Sequence, residues 1–94
     1  MIVIWTSEAE RDRLDIWEYI LADNPVAAVE MDMRFSDAAS NLATQPEMGA
    51  LGQIVGTREL YPHHHYRLVY ETDEDEGVVW ILALVSIFRE WPPL

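Results

Sequence analysis

The protein is a chain of 94 residues with 17 Asp and Glu, six Arg, no Lys and no Cys, and its formal net charge is −11. A chain of this length buries one modest core, which excludes a two-domain enzyme with an interdomain cleft, so we expect a single domain over residues 1–94. The lack of Cys excludes disulfides, thiolate catalysis and Cys-ligated zinc. The negative charge disfavours nucleic-acid binding over a broad surface, although a local patch of arginines stays open.

Hydropathy bears on where the chain resides. Half of the residues are hydrophobic, which is too many for a disordered acidic tail. No apolar run approaches the ~20 residues that a membrane span needs, and residues 1–5 lack the basic flank of a signal peptide. We therefore expect a cytoplasmic, soluble protein with no membrane partner.

The chain begins with a predicted strand and a predicted helix. Residues 2–5 are β-branched and aromatic, which is typical of a short strand. Residues 7–10 match a capping box with Ser7 as the N-cap and Glu10 reaching back to it. Apolar residues at three- and four-residue spacings, including Leu14 and Leu21, then predict an amphipathic helix over residues 7–22.

A second helix is predicted over residues 25–44, with Asn24 as its N-cap and Pro25 at its first position. This helix carries two apolar stripes. The minor stripe, which we call the hairpin stripe, consists of Val26, Val29 and Met33. Because apolar positions are most often core, we favour burial of this stripe against the rest of the fold. The alternative is that Val29 and Met33 form an oligomer surface or a surface for a partner protein.

Glycines and a period of two mark the second half of the chain. Residues 46–56 hold three of the four glycines and predict a loop. Strands are predicted over 57–61, 65–72 and 78–87, and Pro62 limits the first of them or places its end at an edge. The fold class expected is α+β: an N-terminal strand, a helical hairpin, then a three-stranded antiparallel sheet packed against the helices.

All of the positive charge is carried by arginines, and three of these belong to the predicted sheet region: Arg58, Arg67 and Arg89. We expect the strands of Arg58 and Arg67 to be neighbours. A guanidinium on a rigid strand suits a phosphate or a carboxylate. The alternative, foremost at Arg58, is that these arginines are neutralised by Glu59, Glu71 or Glu90, since acids are dense in this sequence.

Two further clusters could carry chemistry. In an extended chain His63 and His65 point to one face and could form a metal pincer or supply a general base. The sequence gives no cue for a third ligand, so we favour a solvated turn and expect no metal and no cofactor. The acidic run 73–76 lacks the spacing of a calcium loop and is interpreted as a solvated loop tip.

Several blocks of the sequence together resemble the ParE branch of the RelE/ParE toxins of type II toxin–antitoxin modules. The blocks cover nearly the whole chain and lie at residues 4–9, 16–20, 23–28, 46–49, 56–60, 66–70 and 89–92. The resemblance implies a small growth-inhibiting toxin of the plasmid-stabilisation type, held inactive by a cognate antitoxin. In this family the antitoxin typically wraps the toxin as a helix and an added strand. A heterotetramer with the antitoxin or a homodimer is the assembly expected.

The resemblance also implies two alternative activities. RelE-like members are similar to ribosome-dependent endoribonucleases that cut mRNA, and ParE-like members inhibit DNA gyrase. Carried over by position, Arg67 matches the family's strand arginine and Arg89 the basic position after the last strand, while Arg58 lies in a recurrent Thr-Arg-Glu block. Target or phosphate binding would then fall to these three arginines with Trp91. Catalysis, in the RelE-like case alone, would fall to Arg67, Arg89 and His65.

One departure and the charge balance favour the ParE-like activity. Many relatives carry a His after the last strand, where this chain has Ser86, so the natural acid–base group is missing. A ribosome presents dense phosphate, which repels a chain of charge −11. We therefore expect gyrase inhibition, with mRNA cleavage on the ribosome or an inactive, partner-binding homologue as alternatives. An antitoxin segment for this toxin should supply Arg or Lys together with apolar anchors.

Overall fold

The structure, a computed structural model, describes residues 1–93. Two helices and five strands follow one another as β1 (Ile2–Trp5), α1 (Ser7–Leu21), α2 (Pro25–Asn41), β2 (Ala50–Leu51), β3 (Arg58–His63), β4 (Tyr66–Asp73) and β5 (Val78–Ser86). The α+β class with an N-terminal strand and a helical hairpin is confirmed. The sheet, however, has five strands rather than three.

The sheet order is β1-β5-β4-β3-β2, so the first and last strands of the chain are neighbours. β1 pairs with β5 in parallel, with Ile2 opposite Val78 and Trp5 opposite Ile81, whereas the other three pairs are antiparallel. The predicted loop 46–56 contains β2, whose two residues extend the sheet beyond β3. Because β2 reaches only Arg58 and Glu59, the Pro62 end of β3 has no outer neighbour, in agreement with its predicted edge position.

Both helix starts depend on side-chain caps, but the first cap differs from the prediction. The N-cap of α1 is Thr6, whose hydroxyl oxygen accepts from the N–H of Ala9 at 3.2 Å. Ser7 is already helical and its hydroxyl donates to Glu8, so the predicted capping box at Ser7 is wrong. At α2 the prediction is confirmed, because the Asn24 side chain accepts from the N–H of Ala27 at 3.1 Å.

The core lies between the helical hairpin and one face of the sheet. Its buried members are Ala9, Phe35, Ala39, Leu42, Leu68, Tyr70, Val79, Ile81 and Leu84. In β5 a bulge at Leu82 interrupts the alternation, so that Ile81 and Leu84 both face the helices. The apolar face of α1 is only partly covered, since the predicted core-facing Leu14 and Leu21 are exposed.

An ion pair links the two helices. Arg13 of α1 donates from Nε and from its terminal NH2 group to the two carboxylate oxygens of Asp32 of α2, at 2.6 and 2.9 Å. The guanidinium also lies over the ring of Trp5, with Cζ 4.8 Å from the centroid. This bidentate contact, supported by a cation–π contact, fixes the hairpin against the start of the chain.

None of the helices in the described part of the chain is both long and apolar enough to cross a membrane.

Candidate functional site

A groove of about 730 Å³ lies between α1, the start of β4 and the end of β5. Its α1 side is formed by Asp12, Asp15, Ile16 and Tyr19, and its sheet side by His65, Tyr66, Leu84, Val85, Ser86, Phe88 and Arg89. Tyr19 and Phe88 are each about four-fifths exposed at 79% and 80%. Large exposed aromatic rings beside acidic side chains are suited to binding a segment of another protein.

A carboxylate at the floor of the groove replaces a missing strand. The pairing of β1 with β5 ends at Ile81. After Ile81, the backbone N–H groups on the edge of β5 that β1 would cover have no strand partner. Asp12 of α1 supplies one partner, because its Oδ2 accepts from the N–H of Leu84 at 3.0 Å. Burial raises the pKa of the Asp12 carboxyl above its usual 3.8, and Asp15 and Glu8 add to this, while the bond from Leu84 and the charge of Arg89 oppose it.

The groove is lined by two of the three residues proposed for catalysis. His65 and Arg89 both line it, and the rings of His65 and Phe88 lie 5.6 Å apart between centroids. Burial raises the pKa of Tyr66, which lies beside them. Arg67 is not among the residues that line the groove.

Arg67 is occupied by an ion pair. Its Nε lies 3.0 Å from Oε1 of Glu59 on the neighbouring strand, and only 14% and 9% of the two side chains are exposed. The other oxygen of Glu59 accepts from the backbone N–H of Gln53 at 3.0 Å. The Arg67 guanidinium also lies over Tyr61, with Cζ 6.0 Å from the ring centroid. The carboxylate alternative therefore holds at Arg67, which is not free to receive a phosphate.

Arg58 is placed differently. It lies on β3 opposite Tyr70, whereas Glu59 lies opposite Val69, so Arg58 and the Glu59–Arg67 pair belong to opposite faces of the sheet. The guanidinium donates to the backbone oxygen of Gly49 at 2.7 Å and forms no ion pair within residues 1–93. The alternative of neutralisation by a carboxylate, which the sequence placed foremost at Arg58, therefore does not hold at that residue.

The loop that Arg58 contacts is also fixed by a buried tyrosine. The Tyr70 hydroxyl donates to the carbonyl of Pro46 at 2.7 Å and accepts from the N–H of Gly49 at 2.9 Å. A Cβ at Gly49 would lie 2.8 Å from the Tyr70 ring and 2.9 Å from the carbonyl of Glu59. Glycine is needed here because the loop backbone lies directly against the sheet.

The remaining predicted positions lie near the end of the chain. Ser86, the position at which the resemblance led us to expect a His, accepts from the N–H of Phe88 at 3.2 Å and so shapes the turn that follows β5. Trp91 is half-buried and its indole nitrogen is shielded from solvent. It does not line the groove.

The structure decides one alternative for α2. Val26, Val29 and Met33 are 67%, 47% and 58% exposed, so the favoured burial of the hairpin stripe is wrong. The helix uses only its major stripe for the core, with Phe35 and Ala39 fully buried. Neither α1 nor the sheet covers the side of α2 that carries the hairpin stripe.

The three histidines cluster at the turn between β3 and β4. Their ring centroids lie 4.1 to 5.1 Å apart, and His63 is half-buried whereas the other two are exposed. The acidic run behaves as the predicted loop tip, since Asp73 accepts from the N–H of Glu76 at 3.1 Å and closes the turn.

Comparison with known proteins gives the family. A family described as "ParE toxin of type II toxin-antitoxin system, parDE" matches residues 3–87. The chain belongs to the ParE toxin family. It is similar to toxin Y4kP of Sinorhizobium fredii, with 35% identity over 94% of this chain and 90% of the relative. It is also similar to toxin RelE2 of Caulobacter vibrioides, with 35% identity over 87% of this chain and 90% of the relative.

Solved structures share the fold of this ParE-family toxin. A chain of the chromosomal ParDE system from P. aeruginosa superposes with a TM-score of 0.80 at 16% identity, covering 93% of this chain and 96% of that one. A chain of the RelBE2 toxin–antitoxin complex from Mycobacterium tuberculosis gives a TM-score of 0.59 at 27% identity, covering 90% and 95%. The predicted membership of the RelE/ParE superfamily is confirmed.

Sequence reasoning missed two residues of the groove, Asp12 and Tyr19. Both lie on α1 among other polar positions, and only the packing of α1 on β5 distinguishes them. Glu59, in contrast, was among the predicted carboxylate partners of the arginines, and the structure pairs it with Arg67.

Proposed function

We propose that this ParE-family toxin arrests growth by inhibiting DNA gyrase and that a cognate antitoxin neutralises it. The observation that supports this most is the Glu59–Arg67 pair. The strand arginine that the ribonuclease alternative needs for the scissile phosphate is nearly buried and already neutralised. Releasing it would leave Glu59 buried without a counter-charge, which is costly.

The charge of the whole protein supports a protein target. Seventeen acidic side chains face six arginines, and two of the arginines, Arg13 and Arg67, are committed to ion pairs. Approach to the phosphate-covered surface of a ribosome is therefore opposed at long range. Gyrase offers protein surface on which an acidic toxin can dock.

The antitoxin is expected at two surfaces. The similar solved structures come from a ParDE system and a RelBE2 toxin–antitoxin complex, which supports a partner of this kind here. The groove offers Asp12 and Asp15 beside exposed aromatic rings, and the hairpin stripe offers apolar contact. A segment with Arg or Lys and apolar side chains at helical spacing complements such a surface.

One observation favours the ribonuclease alternative. His65 and Arg89 line the same groove, so a proton-transferring group and a phosphate-binding group lie within one site. If this alternative holds, His65→Gln and Arg89→Gln should each abolish mRNA cleavage on translating ribosomes while the protein stays folded, because both side chains are exposed.

Induced expression without antitoxin is the first experiment. Growth arrest is expected, and the absence of arrest from soluble protein would identify an inactive homologue instead. Purified protein is then tested for loss of gyrase supercoiling and for mRNA cleavage on ribosomes. Gyrase inhibition that persists in the His65→Gln variant supports the proposal, whereas mRNA cleavage with unaffected supercoiling contradicts it.

A further inference from the structure

The turn between β3 and β4 brings three imidazoles into one cluster. His63 ends β3, and His64 and His65 form the turn before Tyr66. One potential ligand atom from each ring lies within 4.8 Å of those of the other two. The ring of His64 is stacked on that of His63 at 4.1 Å and lies edge-on to that of His65 at the same distance.

The sequence offers no cue for a third metal ligand beside His63 and His65, and this cluster supplies one. In an extended strand, successive side chains alternate, so His63 and His65 would share a face and His64 would point away. At the turn the chain reverses, and His64 joins the other two. The third ligand is therefore the middle residue of the same run.

We propose that His63, His64 and His65 together bind one divalent transition-metal ion of the zinc class. The donors are three imidazole nitrogens with no carboxylate among them, which suits Zn²⁺, Ni²⁺ or Cu²⁺ and disfavours the oxygen-seeking Ca²⁺ and Mg²⁺. At the usual Zn–N distance of about 2.0–2.1 Å, ligand nitrogens are about 3.3 Å apart. The ligand atoms now lie within 4.8 Å of one another, so binding requires the exposed His64 and His65 side chains to move closer to His63.

The state of the His63 ring favours binding. Its Nδ1 accepts a hydrogen bond from the backbone N–H of His65 at 3.1 Å, so this nitrogen carries a lone pair and no proton. An imidazole must be unprotonated at the nitrogen that binds a metal ion, and Nδ1 of His63 meets this requirement as a hydrogen-bond acceptor. The ion would take the place of the His65 N–H at this lone pair.

The surroundings hold the turn and attract a cation. The carbonyl of His65 accepts from the N–H of Ile87 at 2.9 Å, which ties the turn to the segment after β5. The net charge of −11 draws dications toward the molecule. Because His65 also lines the groove, the proposed ion would lie at one end of it. The proposal does not depend on which target the toxin has.

The test is a titration of the purified full chain with Zn²⁺ alone, followed by calorimetry at pH 7.5. One ion per chain is expected, and His64→Gln should weaken binding at least about 10-fold, since even indirect support of a metal ligand is worth that much. The matched control is Asp75→Asn in the exposed acidic run, which should leave the affinity unchanged.

Nuclear magnetic resonance gives a second measurement on the unmodified chain. On addition of Zn²⁺ the backbone amide resonance of His65 should shift, because its hydrogen bond to His63 Nδ1 is replaced. The proposal fails if no ion binds, if His64→Gln binds as tightly as the parent chain, if Asp75→Asn weakens binding instead, or if one ion is shared by two chains.

Discussion

Glu59 and Arg67 form an ion pair that is almost removed from solvent, with 9% and 14% of their side chains exposed. Such a pair contributes little net stability relative to apolar residues, yet breaking it from one side leaves an uncompensated charge. This distinguishes it from Arg11–Asp15 on α1, whose side chains are 75% and 59% exposed.

Arg67→Met should therefore lower the free energy of unfolding by about 3–5 kcal/mol, because Glu59 stays buried without its partner. Arg11→Met is the control and should change it by less than about 1 kcal/mol. Urea denaturation of both variants measures the difference. Equal effects would mean that the Glu59–Arg67 pair is solvated in solution.

The buried Tyr70 hydroxyl forms two hydrogen bonds with the backbone. It donates to the carbonyl of Pro46 and accepts from the N–H of Gly49. Tyr70→Phe leaves both of these backbone groups without that partner, and we expect a loss of about 1–3 kcal/mol in denaturation experiments. Tyr61→Phe, at a ring that is more than half exposed, should have almost no effect. If Tyr70→Phe leaves the free energy of unfolding unchanged, water replaces the hydroxyl.

Single residues show where the sequence suffices and where it does not. The sequence predicts that Arg58 and Arg67 lie on neighbouring strands, and they do. It cannot predict that they face opposite sides, because that depends on the register of β3 and β4 and a shift of one residue reverses it. The same register decides that Arg67, and not Arg58, meets Glu59.

Among the elements, the contact between α1 and β5 has an ionisable group at its centre. Asp12 accepts from the N–H of Leu84, and burial raises the pKa of this carboxyl above 3.8. A carboxyl whose pKa is higher in the folded than in the unfolded chain binds its proton more tightly when folded. Its ionisation therefore costs stability above the folded pKa, and this cost disappears below the unfolded value.

Asp12→Asn should raise the free energy of unfolding at pH 7, since an amide oxygen still accepts from Leu84 without carrying charge. The gain should shrink as the pH falls toward 3.8, the usual value for Asp. Denaturation of both proteins across this range measures it. A variant less stable than the parent at pH 7 would mean that the charge itself strengthens the contact.

The same carboxyl can be followed directly by carbon NMR. Its titration midpoint should lie above 3.8 and should rise further in Arg89→Met, because the positive charge of Arg89 lowers the pKa. An unchanged midpoint in that variant would place Arg89 away from Asp12.

At this scale most of the architecture follows from local patterns. The helices and the three long strands lie where the periods of about 3.6 and 2 predict them, with ends that differ by one to three residues. The cap at Thr6 was missed because both Thr6 and Ser7 can accept a backbone hydrogen bond. The parallel pairing of β1 with β5 joins residues far apart in sequence, and no local pattern encodes it.

At the scale of the whole molecule, the hairpin stripe of α2 is an apolar surface that the described part of the chain leaves uncovered. Met33→Asp should therefore leave the domain folded while weakening its assembly with an antitoxin or with a second copy, because the side chain is 58% exposed. Phe35→Asp, two residues further along α2 but fully buried, should unfold the domain. Circular dichroism and light scattering separate these outcomes, and unchanged assembly of the folded Met33→Asp protein would exclude the hairpin stripe as an interface.

The order of the strands has a consequence for synthesis on the ribosome. β1 is made first, yet its partner β5 begins 76 positions later, since Ile2 lies opposite Val78. At about 5–20 residues per second, roughly 4–15 s pass before that partner exists. The nascent chain cannot complete its sheet during this interval. The pairing that joins the two ends of this fold can therefore form only after nearly the whole chain has been made.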